Sequence, residues 1–359
     1  MNDKIKMGVV GLRFGDAVIS GQIIQGIGHP YVQLCGVTDL NAAVARSRSE
    51  RYNVPHFATY DDMLADKSIE AVGIFTPPAG RADMVRRAIL ARKHVMTTKP
   101  FELDAGAALS VLNEARNIKR VVHMNSPSPL LPPDWQQVET WRRRYKLGRP
   151  IAANFSTWAS YREEADGSWM DDPKRCPAAP IFRIGIYSVN DMVRLMGPAA
   201  SVQVTTSRLF TGRPTPDNAQ LTLRFKNGAI GGIFASFCIN DGNFYADAVI
   251  VNFENGTIYI NAQPPVGPSD HIQLHLVMAD GKAAHTMDRV TIPLAQRAGT
   301  YQWDNFYHAL REGTSQDTLT PLQVAEGIAI VEAMYRAEAS GMAETVADPE
   351  QLAMASAVA

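Results

Sequence analysis

The first 125 residues alternate between short apolar runs and stretches of helical period, and that alternation constrains the fold more than any other feature. Residues 5–10, 31–38, 71–75, 94–97 and 121–124 read as strands. Between them, residues 16–27 place Val18, Ile19, Ile23, Ile24 and Ile27 at helical spacing. Residues 41–51 are rich in alanine and arginine, residues 80–91 gather Met84, Val85, Ala88 and Ile89 on one face, and Asp104 caps a further helix. Strands reconnected through helices of this length form a parallel, doubly wound sheet. The run 71–75 is apolar without alternation, as expected where helices cover both faces of a sheet.

The pattern changes after about residue 125. A proline-rich crossing segment at 125–134 and one helix lead to residue 151, from where the chain alternates in strand fashion. Candidate strands follow at 201–210, 220–225, 229–237, 246–253 and 257–260. Two of the turns, Asn227-Gly228 and Asn255-Gly256, carry the strongest short hairpin signal. The second half is therefore expected to hold a large, open, mostly antiparallel sheet covered by a helix at about 181–196. Helices at about 300–313 and 321–341 close the chain, and residues from Asp348 onward read as a frayed or docking tail. The expectation is an α/β protein: a Rossmann-type domain over 1–125 and a second α/β domain over 126–359, with helices 300–341 free to pack back on the first.

Composition narrows the function classes. A chain of 359 residues is long enough for two cores. A net charge of −1 gives no field for nucleic acid, and the basic run Arg142-Arg143-Arg144-Tyr145-Lys146 reads as a solvated helix face. The three cysteines, Cys35, Cys176 and Cys238, lie far apart; they suit neither a disulfide framework nor a zinc site and point to a reducing compartment. With no signal peptide and no spanning stretch in view, a cytoplasmic, membrane-free protein is expected. The histidines share no helix face with carboxylates, so no metal is expected.

The chemistry concentrates at the strand ends. Gly11-Leu12-Arg13-Phe14-Gly15 is a partial dinucleotide fingerprint in which Arg13 replaces the middle glycine. A plain strand-to-helix turn would look similar, and Arg13 either offers its guanidinium to a phosphate or points at a substrate. Asp39 ends the second strand, where an acid accepts a ribose 2′-hydroxyl and repels a 2′-phosphate; it equally suits a helix cap. Leu40 beside it offers no cation for a phosphate, which favours NAD over NADP. Thr76-Pro77-Pro78 and Lys99-Pro100 follow buried strands at the edge of the sheet where ligands bind in such folds. Asn125, at the end of the last strand, joins this cofactor-facing set.

Together these segments resemble the glucose–fructose oxidoreductase / inositol dehydrogenase (Gfo/Idh/MocA) family over nearly the whole chain. The resemblance implies that Lys99 matches the lysine of a Glu-Lys-Pro motif near the nicotinamide and the reacting carbon, with Thr98 in place of the glutamate. Arg81 stands where many members have histidine. The stretch from Arg183 to Asn190 matches the family's Asp-x-Gly-x-His helix, with Gly185 kept, Arg183 for the aspartate and Tyr187 for the histidine. That form is similar to the branch in which tyrosine takes the acid/base position. Lys99 nearby would favour the phenolate of a tyrosine whose pKa is normally ~10, and Arg183, one turn earlier, would add to this or hold substrate. Trp158, Tyr161 and Trp169 precede that helix and are candidates for stacking on a sugar face; each suits a core equally well.

The resemblance implies NAD-dependent oxidation or reduction of a sugar, polyol or related small molecule, with Lys99 and Tyr187 as the catalytic pair. An NAD-using enzyme without net redox, of glycosidase or epimerase type, and a non-catalytic NAD and sugar sensor are the alternatives. The broad apolar sheet of the second domain implies a homo-oligomer, dimer or tetramer.

Overall fold

The computed structural model describes residues 3–262, 270–280, 283–294, 299–313 and 317–358. The chain divides into two compact units, Met1–Leu130 with Tyr301–Pro321, and Leu131–Thr300 with Leu322–Ala359. The first unit is thus not continuous in sequence.

In the first unit, β1 (Ile5–Val10), β2 (Val32–Thr38), β3 (Ala71–Ile74), β4 (His94–Thr97) and β5 (Val122–Met124) form a parallel sheet in the order β2-β1-β3-β4-β5. All four residues of β3 are buried, as its unbroken apolar character implies. The connecting helices are α1 (Leu12–Val18), α2 (Ala42–Tyr52), α3 (Tyr60–Ala65), α4 (Arg81–Leu90) and α5 (Ala105–Asn117). The helix expected at 16–27 begins earlier, at Leu12, and widens into a π-helical turn over Ile19–Ile24. Asn41, not Asp39, caps α2, accepting from the N–H groups of Ala43 and Val44. The short helix α3, with a capping box between Thr59 and Asp62, has no counterpart in the sequence expectation.

The returning segment carries α8 (Trp303–Glu312), whose Trp303, Phe306 and Tyr307 join Tyr301 in the core around β1 and β2. Asp317 then accepts from Asn305 at 3.0 Å and pairs with the buried His123 of β5 at 3.1 Å.

The second unit is built on a nine-stranded sheet. Its strands are β6 (Pro150–Ala159), β7 (Ala199–Ser207), β8 (Asn218–Phe225), β9 (Ile230–Ser236), β10 (Tyr245–Phe253), β11 (Gly256–Ile260), β12 (His271–Asp280), β13 (Ala283–Pro293) and β14 (Glu344–Thr345). The order is β13-β12-β11-β10-β6-β9-β8-β7-β14, with β6 and β9 parallel and the other pairs antiparallel. Both Asn-Gly turns close hairpins, β8–β9 and β10–β11. Alternation is clean on β8, where Ala219, Leu221, Leu223 and Phe225 are buried between exposed Gln220, Thr222 and Arg224.

The remaining helices are α6 (Pro133–Arg144), α7 (Ile186–Met196), α9 (Pro321–Ser340) and α10 (Pro349–Val358). A π-helical turn over Ile181–Gly185 leads into α7. A side-chain carbon on Gly231 of β9 would come within 2.8 Å of Met192 of α7, so glycine there lets the helix lie close on the sheet. Residues 349–358 form α10, where the sequence suggested a tail.

Candidate active site

The site in the first unit is assembled at the carboxyl edge of its sheet. The strand order reverses direction between β1 and β3, which is where open α/β sheets take ligands. Gly11 sits at that point with φ +84°, and a side-chain carbon on it would lie 2.9 Å from the main chain of Phe75 and Thr76. Only glycine satisfies both the dihedral and the approach. A side-chain carbon on Gly15 would lie 3.2 Å from Val9 and 3.3 Å from Phe75, a tight fit, so α1 packs closely on β1 and the end of β3. Asp39 fixes this turn from the neighbouring strand. Its Oδ2 accepts the Leu12 N–H at 2.7 Å and its Oδ1 the Asn41 N–H at 2.9 Å. Each oxygen keeps a lone pair for a further donor. Arg13 and Phe14 are exposed on the first turn of α1.

Lys99 is half-buried on the turn after β4. Its N–H donates to Asn125 Oδ1 at 3.1 Å, and the Thr98 hydroxyl meets the same oxygen at 3.3 Å. Arg81, the first residue of α4, is 1% exposed. One terminal nitrogen shares its two hydrogens among the carbonyls of Thr98 at 2.7 Å, Phe101 at 3.1 Å, and Pro100; the other donates to the Thr76 carbonyl. Glu102, also buried, accepts from the N–H groups of Gly80 at 3.2 Å and Ala82 at 2.7 Å, placing an anion at the start of α4. Burial pulls the Arg81 guanidinium down to about 10, against the opposing charge of Glu102.

In the second unit, Tyr187 is half-exposed on the first turn of α7, its ring against Gly299. One turn earlier, Arg183 donates both terminal nitrogens to Glu163, at 2.6 and 3.0 Å. Its guanidinium also lies over the rings of Phe237 at 4.6 Å and Tyr161 at 5.2 Å. Arg213 completes the knot, reaching Glu163 and Asp171, each at 2.6 Å. Burial alone would raise the carboxyls of Glu163 and Asp171; bonds and charge from the arginines outweigh it and hold both below the ordinary range. Trp169 meets Phe182 edge-on at 6.2 Å.

Comparison with known proteins agrees with these two sets of features. Residues 5–126 match the model for an oxidoreductase family with an NAD-binding Rossmann fold. Residues 135–259 match the model for the GFO/IDH/MocA C-terminal domain. The chain belongs to the Gfo/Idh/MocA oxidoreductase family. An uncharacterized oxidoreductase of Schizosaccharomyces pombe is 27% identical over 176 residues, 48% of this chain and 45% of the yeast protein. The chain thus spans less than half the length of that relative. A UDP-N-acetylglucosamine 3-dehydrogenase of Acidithiobacillus ferrooxidans is 23% identical over 237 residues, 64% of this chain and 69% of that one. A solved levoglucosan dehydrogenase, in complex with NADH and levoglucosan, shares the fold with a TM-score of 0.74 at 16% identity, covering 96% of this chain and 100% of that one.

Within this family frame, the sequence-predicted residues fall into groups. Gly11, Leu12, Gly15, Asp39, Thr76, Lys99 and Asn125 gather at the sheet edge, with Arg13, Phe14 and Pro77 exposed around it. Tyr161, Trp169, Arg183 and Tyr187 gather around the start of α7. Trp158 does not join them. It alternates with Phe155 and Thr157, which share the helix-covered face, and donates its indole N–H to Asp241 at 3.0 Å. Arg183 is expected from sequence to hold substrate or tune Tyr187; in the structure its terminal nitrogens donate to Glu163. Sequence reading missed Glu163, Arg213 and Glu102, and it assigned Arg81 no role. Glu163 lies 20 and 50 positions from Arg183 and Arg213, and Glu102 lies 22 and 20 from Gly80 and Ala82, beyond the reach of any local pattern.

Proposed function

We propose that the chain is an NAD-dependent oxidoreductase acting at a hydroxyl-bearing carbon of a sugar, polyol or related small molecule. The observation that carries this reading is the Lys99 turn. A half-buried lysine leaves the ligand-binding edge of an NAD-type sheet with its main chain held by Asn125 and Arg81. Bound NAD supplies a hydride acceptor at the nicotinamide. Lys99 then stabilises the alkoxide as the carbon–hydrogen bond breaks, and Tyr187 takes the hydroxyl proton. Asp39 accepts a ribose hydroxyl and disfavours a 2′-phosphate, so NAD is preferred over NADP. Two of the proteins that this chain resembles are named for dehydrogenation of levoglucosan and of UDP-N-acetylglucosamine, which supports the substrate class.

The test is a panel of sugars and polyols with NAD at alkaline pH, read as NADH absorbance. Tyr187→Phe should lower kcat roughly 10²- to 10⁴-fold, the usual worth of general acid–base catalysis. A Tyr187→Phe enzyme with unaltered kcat would sink the mechanism. Product formed with NAD unchanged would point to chemistry without net redox; binding of NADH without turnover would point to a sensor.

We further infer that the protein self-associates through the open face of the nine-stranded sheet and works in the cytoplasm. The three free cysteines fit a reducing compartment. Opposite the helix-covered face, Ile230 pairs with Ala152, Ser156 with Phe234, and Ile250 with Tyr259, and Ile230 is 55% exposed. Polar Gln220, Thr222 and Arg224 of β8 bound this patch, so it is narrower than the sequence implied. Light scattering at micromolar concentration should give a multiple of the 39.3 kDa chain, and Ile230→Lys should return the monomer mass.

A further inference from the structure

We infer that Arg81 is a positioning residue: its buried guanidinium sets where Lys99 leaves the sheet edge by binding main-chain carbonyls on both sides of it. The inference rests on the role proposed above for Lys99.

Thr98 and Pro100 flank Lys99, and both donate nothing to Arg81; they present carbonyls to the same terminal nitrogen. The Phe101 carbonyl adds a third acceptor to that nitrogen. The other terminal nitrogen binds the Thr76 carbonyl, at the end of β3. One side chain therefore ties the loop after β3 to the loop after β4, the two loops that border the ligand edge of the sheet. Asn125 Oδ1 accepts the Lys99 N–H from the same turn. No other side chain type could make this set. Four carbonyls need a donor with several N–H groups in a rigid plane, and a guanidinium has five in a fixed fork.

The arrangement is costly as a mere brace. A cation in the first turn of a helix opposes the helix dipole. Glu102 relieves that by sitting on the Gly80 and Ala82 N–H groups, and it must itself be buried to do so. The Arg81 Nε is buried without an acceptor. A brace built only for stability has cheaper forms, since replacing buried ionic groups by apolar ones is often neutral or stabilising. What the guanidinium gives that an apolar residue cannot is a fixed main-chain position for the lysine between its anchors. A displacement of about 1 Å at such a residue is enough to cost on the order of 10²-fold in rate.

The experiment compares the full chain with Arg81→Lys, which keeps a cation but lacks the planar fork. NADH is the probe. Lys99 acylation by acetic anhydride is followed by mass spectrometry, with exposed Lys67 as the internal reference. In the wild type, saturating NADH should slow acylation of Lys99 and leave Lys67 unaffected. In folded Arg81→Lys, Lys99 should react several-fold faster relative to Lys67, and protection by NADH should shrink. If the variant does not fold by circular dichroism, the double variant Arg81→Gln/Glu102→Gln, which leaves no unpaired buried charge, takes its place in the same measurement. Protection in the wild type with an unchanged Lys99 rate in the variant overturns the role of Arg81 alone. Absence of protection in the wild type overturns the proposed place of Lys99, and the inference with it. Where the panel has yielded a substrate, kcat of Arg81→Lys should fall while KM holds; a loss confined to thermal stability would mark Arg81 as a brace only.

Discussion

Arg81 in the first unit and Arg213 in the second are both almost wholly buried, and each holds loops beside a candidate site, yet they bind opposite kinds of partner. Arg81 spends its terminal nitrogens on neutral main-chain carbonyls. Arg213 spends its own on the carboxylates of Glu163 and Asp171. The consequences run in opposite directions. Burial takes the Arg81 guanidinium down to about 10, whereas for Arg213 burial is outweighed by Asp171 and Glu163, which raise it. Carbonyl anchoring fixes the backbone itself and does not titrate. Carboxylate anchoring fixes side chains on loops and depends on pH. The first suits a turn that must present one lysine. The second suits loops whose side chains must be held together from distant positions in the sequence.

The sharpest way to break this comparison is Arg81→Met. It leaves four buried carbonyls without their donor and removes the charge that opposes Glu102, and should cost about 3–5 kcal/mol in urea unfolding, roughly 1 kcal/mol for each stranded acceptor. A loss under about 1 kcal/mol would show that the carbonyls find other donors. Arg213→Met should cost less, about 2–3 kcal/mol at pH 7, from lost hydrogen bonds to charged groups. The two differ most in acid. The folded-state pKa values of Glu163 and Asp171 are depressed, so their stabilisation is present above the unfolded values of 4.5 and 3.8 and is lost as pH falls through the lowered folded ones. The deficit of Arg213→Met should therefore shrink toward pH 3, while the deficit of Arg81→Met keeps its carbonyl part. Equal pH profiles would erase the distinction.

Asp191, a partly buried acid on α7, sharpens the comparison from the other side. Burial first, and the Asp134 carboxylate second, push the Asp191 carboxyl up to about 7, with Arg194 only partly offsetting them. A raised acid favours the folded state less as pH rises from the unfolded value of 3.8 through about 7. Asp191→Asn should thus stabilise the protein by on the order of 2 kcal/mol at pH 8 and much less at pH 5. Thermal unfolding at the two pH values checks the sign.

Much of the fold was legible because it is local. An unbroken apolar run marks β3, a mostly apolar one broken by Lys6 marks β1, and Asn-Gly marks both hairpin turns. The π-helical turns at Ile19–Ile24 and Ile181–Gly185 were not legible, because their apolar spacing hardly departs from that of an α-helix. Neither was the parallel pairing of β6 with β9, which joins segments far apart in sequence. The hairpin of β12 and β13 went unread: β13 is largely exposed, so it lacks the alternation that marks a half-buried strand. At the site, glycines and the Lys99-Pro100 step stood out because backbone geometry restricts residue type. Arg81 did not. An arginine between Gly80 and Ala82 at a helix start reads as solvent-facing, and only the tertiary fold buries it.

The split first unit sets a schedule for the nascent chain. Tyr301, Trp303, Phe306 and Tyr307 fill the core around β1 and β2, but they are made only after the entire stretch 131–300. At ~5–20 residues per second, the nucleotide-binding sheet waits on the order of ten to forty seconds with an apolar groove open. During that interval the ribosome-bound chain is a substrate for whatever binds exposed apolar grooves. A chain that stalls before residue 301 leaves an aggregation-prone half-product, not an independent small domain.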